Sequence, residues 1–215
     1  MRKMRMAALA FAAAAAFTAA AQSGVAADGG QAPQSTLFGS ANTDKKNPKY
    51  LSGAVPEVNG RVVFTTELEA PGKTAVQVCE AVAAELSAVA AEQDTTLGSK
   101  VSPMGGGMST AVGRMSEWLV FRKSALSLDR TVFHYTIVAE CRDGGAKLTM
   151  SNISYEYEAD RGDGGMVKAA EDWITDEWGL TGNKKKLAKY SGKFRRGTID
   201  RKDELFGRIA AAVKK

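Results

Sequence analysis

The sequence predicts an α+β domain in which an antiparallel sheet is covered on one face by helices. Three observations lead there. Apolar residues alternate along 130–141, where Phe133, Tyr135, Ile137, Ala139 and Cys141 take one face of a strand. Two turn signals, Asn59-Gly60 and Asp143-Gly144-Gly145, punctuate stretches of strand-forming sequence. Between those turns Val76, Cys79, Val82, Ala83, Leu86 and Val89 switch to helical spacing. Strands and helices in this order, joined by tight turns, favour helices segregated to one side of the sheet.

The chain opens with a positive leader, Arg2, Lys3 and Arg5, followed by an apolar run from Met6 to Ala16 and then Thr18-Ala19-Ala20-Ala21. That order predicts a signal peptide over residues 1–21, cleaved after Ala21. The run is shorter than the roughly 20 apolar residues of a spanning helix, so no transmembrane span is expected after cleavage. No cysteine lies at the cleavage region, which disfavours a lipid anchor. Export to the periplasm or cell envelope of a Gram-negative bacterium is the resulting expectation. Residues 22–49 are rich in Gly, Ala, Ser, Asn and Pro, and predict a disordered linker before a single α+β domain over 50–215.

Within the domain, a short strand, the Asn59-Gly60 turn and a strand over 61–68 come first, ended by Pro71-Gly72. Thr74 and Gln77 form a capping box for the helix that follows. Residues 94–116 read as loop, with a flexible glycine run at Gly105–Gly107, and 117–123 as strand. After 130–141 and its turn, the strand 147–158 changes phase. Leu148 and Met150 alternate in one register and Ile153, Tyr155 and Tyr157 in the other, which predicts a one-residue bulge near Ser151–Asn152. Residues 165–180 predict an amphipathic helix with Met166, Ala170, Trp173, Ile174 and Trp178 inward and Gly179 as its stop. A last helix is expected from Ile199 to Val213, capped by Thr198 or Asp200 and carrying a Glu204–Arg208 pair.

The chain holds 29 basic and 24 acidic residues, a net charge of +5. Without residues 1–21, which contain three basic residues and no acidic one, the balance falls to +2. The remaining basic surplus is concentrated in 184–202, where nine basic residues face the single acid Asp200. Its first reading is a surface strap leading into the last helix; Lys184, Lys185, Lys186, Lys189, Lys193, Arg195 and Arg196 are the candidate binding residues. The partner class is anionic: a lipid headgroup, lipopolysaccharide or an acidic envelope protein. Nucleic acid is not expected of an exported chain without a nucleic-acid motif.

Catalytic chemistry has little to draw on. The single histidine, His134, lies in mid-strand on the face opposite Phe133 and Tyr135. No set of metal ligands has zinc spacing, no G-x-S-x-G occurs, the glycine run lacks the phosphate-cradling pattern, and no cofactor is implied. Glu171, Asp172, Asp176 and Glu177 read as the wet face of a helix, and Arg161-Gly162-Asp163 as a turn. Cys79 and Cys141 suit an oxidising compartment and leave two alternatives, a disulfide between helix and strand or two buried free thiols, the latter preferred. A non-enzymatic binding domain is therefore expected. A hydrolase of envelope glycans, with a carboxylate or His134 as general acid–base, is the alternative.

The stretches "AVPEVNGRVVFTTELEAPGKT", "EWLVFRKSALSLDRTVFHYTIVAECRDGG", "AEDWITDEWGL" and "SGKFRRGTIDRKDELF" together resemble, in order and spacing, the secreted proteins grouped as domain of unknown function 4468. The resemblance covers about residues 50–207. It implies a curved antiparallel sheet with helices on one side, a fold like that of the TATA-binding protein, and export in Gram-negative bacteria. It carries over no catalytic residue, and the fold label says nothing of DNA binding.

Overall fold

A computed structural model describes residues 44–104, 109–158 and 165–215. The leader and most of the linker, the glycine run and the Arg-Gly-Asp turn lie outside the described residues.

Strand β1 (Glu57–Val58) and β2 (Arg61–Val62) form a minimal hairpin around Asn59-Gly60, both in the positive-φ region that such a turn requires. The main sheet is built from β3 (Phe64–Glu69), β4 (Lys100–Met104), β5 (Thr110–Ser124), β6 (Ser127–Arg142), β7 (Gly145–Tyr157) and β8 (Met166–Ala169). Its order is β3-β7-β6-β5-β4, and every pairing is antiparallel. Two helices, α1 (Ala75–Glu92) and α2 (Gly192–Lys214), pack on one face. The core lies between them and the sheet, filled by Val78, Val82, Leu86, Phe133, Tyr155, Phe194, Leu205 and Ile209 among others.

The bulge in β7 organises the sheet edge. His134 pairs with Ser154 but Thr136 with Ser151, so Tyr135 faces two residues, and Asn152 takes φ 52°. Leu148, Met150, Ile153 and Tyr155 are all buried as a result. The free edge of β7 is divided at the same place. Its first half pairs with β3 through Met150, and its second half pairs with β8 from Ser154 onward.

Several sequence expectations are corrected. Residues 94–116 are not all loop: β4 and the start of β5 lie there. Gly113, which weakens the strand signal, sits under α1, where an added Cβ would lie 3.2 Å from Leu86 Cδ1. The expected helix over 165–180 is instead β8 followed by a series of turns, with Trp178 52% exposed. Edge pairing claims 166–169, and the Ile174 carbonyl accepts from the Arg195 guanidinium rather than from a following turn of helix. Helix α2 starts at Gly192, a full turn and more before Ile199, because Phe194, Arg195 and Thr198 are buried by it. Neither Thr198 nor Asp200 caps it, and Arg208 pairs with Glu85 and Glu92 of α1 rather than with Glu204. Finally, residues 44–49 are ordered as two 3-10 turns, Asp44–Lys46 and Pro48–Tyr50, the second capped by Asn47 and started by Pro48.

Cys79 of α1 and Cys141 of β6 form a disulfide, with Cα atoms 5.7 Å apart. The preferred free thiols do not occur, because the helix stripe and the strand face that bury the two residues are the surfaces that pack together.

Candidate functional site

The basic segment divides into a structural part and an open part. Arg195 has no solvent exposure. Its Nε donates to Tyr50 O (2.7 Å), Nη1 to Ile174 O (2.7 Å), and Nη2 to Leu51 O (2.6 Å) and Asp176 Oδ1 (2.7 Å). One planar fork thus joins the entry segment, the turns after β8 and α2. Gly179 makes room for it: an added Cβ would stand 2.8 Å from Arg195 Cδ and 2.7 Å from Ile174 O. Asp176 completes the clamp by accepting from Ser52 Oγ (2.5 Å) and Gly53 N (2.9 Å). Burial pushes the Asp176 carboxyl up, but Ser52, Arg195 and the Gly53 amide outweigh it and hold the group below its ordinary value.

Lys193 is also committed. Its Nζ lies 2.8 Å from Asp129 Oδ1 and 2.9 Å from the Tyr157 hydroxyl, over the rings of Phe121, Tyr157 and Phe194. Burial pulls its pKa down, and Asp129 and Tyr157 more than reverse that. Arg196 is half-buried. Further along α2, Arg201 makes a bidentate pair with buried Glu117 (2.8 and 2.7 Å), which also accepts from Tyr135. Arg195 and Lys193 are therefore removed from the candidate binding set; a run of cations on a helix that meets buried carboxylates and carbonyls is architecture.

What stays open is the loop between Thr181 and Tyr190, with Lys184, Lys185, Lys186 and Lys189 exposed. The Leu180–Leu187 bridge closes its base, Thr181 N donates to Lys186 O (2.9 Å), and Lys184 takes φ 56° at the tip. Leu187 N donates to Lys45 O (2.9 Å), which brings the entry segment alongside. Together they line a surface depression of ≈ 620 Å³ formed by Lys46, Pro48, Leu51, Ser52, Lys184 and Lys185. Among the described residues Lys46, Lys184 and Lys185 make no ion pair. Lys46 and Lys45 were not foreseen as partners of the strap, since they fall in the stretch expected to be linker; Pro48 after Asn47 is the one local capped-turn signal there.

The face of the sheet turned away from the helices carries a second constellation. Ser116 Oγ lies 2.9 Å from His134 Nδ1, and His134 Nε2 lies 3.2 Å from Glu156 Oε1 without the alignment of a hydrogen bond. Register puts them there: Ser116 pairs with His134 across β5 and β6, and Ser154 with His134 across β7. This serine and this glutamate could not be singled out from sequence, because only strand register brings them to the histidine. The Ser116 amide donates to Ser99 Oγ and is not open to stabilise an oxyanion. The four acids are divided between two roles. Glu171 accepts from Val62 N, Asp176 belongs to the Arg195 clamp, and Asp172 and Glu177 are exposed. Among the described residues no group of three or more His, Cys, Asp or Glu is placed to hold a metal, and no helix is long and apolar enough to cross a membrane.

An antiparallel sheet with two helices on one face and this strand order defines a TBP-like α+β domain. The family model described as domain of unknown function (DUF4468) with TBP-like fold matches residues 64–156. A crystal structure of a DUF4468 family protein from Bacteroides ovatus is 34% identical, with a TM-score of 0.70, covering 78% of this chain and 94% of that one. The chain belongs to the DUF4468 family. A TBP-like protein from Parabacteroides distasonis shares the fold at 21% identity, with a TM-score of 0.59 over 74% of this chain and 96% of that one. No curated protein matches the chain.

Proposed function

We propose that this chain is an exported, non-enzymatic envelope domain that binds a phosphate- or carboxylate-bearing group in the lysine-lined depression. The observation that carries the reading is the convergence of Lys46, Lys184 and Lys185, unpaired among the described residues, from two distant segments onto one concavity. Three cationic side chains lining one depression make it a favourable place for an anion. The apolar walls of Pro48 and Leu51 give the anion a low-dielectric neighbour. The leader pattern of residues 1–21 and the disulfide both suit an oxidising compartment outside the cytoplasm. Titration of isotope-labelled protein with inorganic phosphate and a soluble sugar phosphate tests it. Amide shifts are expected at Lys46, Ser52 and Lys184–Lys186, weakened with added salt and lost in Lys46→Gln/Lys184→Gln/Lys185→Gln. Shifts scattered elsewhere, or none, remove the reading.

The Ser116–His134–Glu156 line favours a second reading, a hydrolase acting on envelope glycans or their esters with His134 as general base. Turnover of chromogenic glycosides and esters should then vanish in both Ser116→Ala and His134→Ala. Turnover that survives both substitutions excludes it.

A further inference from the structure

The β5–β6 hairpin is built unlike the other hairpins of the described chain. The β1–β2 and β6–β7 connections use Asn59-Gly60 and Asp143-Gly144, residue pairs suited to tight turns in water. The β5–β6 connection instead places Ala125-Leu126 between the last pair, Ser124 and Ser127. Leu126 is 99% exposed and Leu128 51% exposed, and every residue from Arg122 to Leu128 is open to solvent.

The ribbon also projects. Pairing of β6 with β7 ends at Thr131–Tyr157, and pairing of β5 with β4 spans only Thr110–Arg114, so among the described residues the 120–130 ribbon has no third strand. A bare two-stranded ribbon is marginal in water. Its root is held firmly: Phe121 packs on Phe194 with centroids 4.6 Å apart, Asp129 is gripped by Lys193 and Tyr157, and Arg130 stacks 3.6 Å over the Trp118 ring. Asp129 is the only acid in residues 120–130, and Lys193 neutralises it. Arg122 and Lys123 make no ion pair among the described residues. Leu126 thus stands at the tip of a stiffly rooted finger, with Leu128 level with its cross-strand partner Lys123 and Arg122 one residue nearer the root.

We propose that the β5–β6 hairpin is a membrane-docking finger, with Leu126 and Leu128 entering the acyl boundary of an anionic lipid surface and Arg122 and Lys123 held at its headgroups. Charge complementarity selects an anionic surface. Shape selects a bilayer over a folded partner. A convex tip of a few residues offers far less than the roughly 800 Å² per side of a stable protein interface, whereas shallow insertion needs only a short apolar tip and basic flanks. The finger is separate from the lysine-lined depression and does not depend on it.

Flotation of the protein purified from its native cells, with phosphatidylcholine vesicles with and without phosphatidylglycerol, tests the proposal. Partition onto the anionic vesicles alone, weakened by salt, is expected. Leu126→Ser/Leu128→Ser should lower it by roughly tenfold or more, and Arg122→Gln/Lys123→Gln by about tenfold. Because these side chains are exposed, both variants should keep the far-ultraviolet spectrum and melting temperature of the parent. Leu126→Trp should gain blue-shifted emission on vesicles, quenched by brominated acyl chains. Failure to bind anionic vesicles, including the case where the finger captures a soluble acidic protein instead, overturns the proposal. So does a Leu126→Trp signal untouched by brominated lipid. Loss of partition in Lys184→Gln/Lys185→Gln with the leucine variant unaffected also overturns it, and assigns the membrane contact to the depression.

Discussion

Arg195 draws on four acceptors at once, three of them main-chain carbonyls. A lysine is a point charge on a flexible stem and cannot reach Tyr50 O, Leu51 O and Ile174 O together. Arg195→Met is expected to cost about 3–5 kcal/mol, since it leaves Asp176 and those carbonyls without their partner. Arg195→Lys should recover less than half of that, measured as the urea midpoint. Gly179→Ala should destabilise through the same clamp, because the added methyl meets both Arg195 and the Ile174 carbonyl. The sequence makes Arg195 legible only as one more charge in a basic run. Its role depends on residues far away in the chain, which composition and spacing do not connect.

At the scale of elements, the disulfide and the bulge make separate demands. The bridge spans 62 residues of sequence between α1 and β6. In the chain-entropy account a loop of that size is worth about 4 kcal/mol, so reduction, or Cys79→Ser/Cys141→Ser, should lower the melting temperature by roughly 10 °C. Scanning calorimetry with and without reductant checks this. Asn152 carries the bulge at φ 52°, where asparagine and glycine are at ease and a β-branched residue is not. Asn152→Gly is expected to be tolerated, and Asn152→Val to cost about 1–2 kcal/mol by equilibrium denaturation. Most strands, α1 with its capping box, and this bulge were legible because each is set by local alternation, spacing or turn chemistry. The 165–180 segment was not. Its 3.6-residue pattern is real, yet β8 completes the sheet edge and Arg195 takes a carbonyl that a helix would need. The early start of α2 was hidden for a similar reason, since Gly192 and Gly197 argue locally against a helix that burial of Phe194 and Thr198 sustains. Of the depression, the loop lysines were visible and Lys46 was not.

For the whole molecule, the ion pairs set a pH window. Desolvation pushes Asp176 and Asp203 up, but their hydrogen-bonded and charged partners hold both below the ordinary 3.8. Groups depressed by folding stabilise the native state fully above that ordinary value, and the contribution fades as pH falls through the folded pKa. Lys49 and Lys193, partly buried but paired with Asp200, Asp203 and Asp129, are raised above 10.5, so their contribution is complete below 10.5 and fades as pH rises beyond it. Burial likewise raises Tyr155 above 10.0, with the same direction of loss at high pH. The urea midpoint should therefore be nearly level between about pH 5 and 9 and fall on both sides. Asp176→Asn should lower the plateau and flatten the acid limb; an acid limb as steep as the parent's would show that Asp176 does not contribute to it.

The clamp around Arg195 also fixes an order of events. Tyr50 and Leu51 stand at the entrance of the domain, while the guanidinium they need lies in α2, 145 residues after Tyr50. As the chain is made, Tyr50 and Leu51 wait without this partner until α2 has followed them. Closure of the clamp is therefore a late step, tied to the arrival of α2 however early the rest of the sheet pairs.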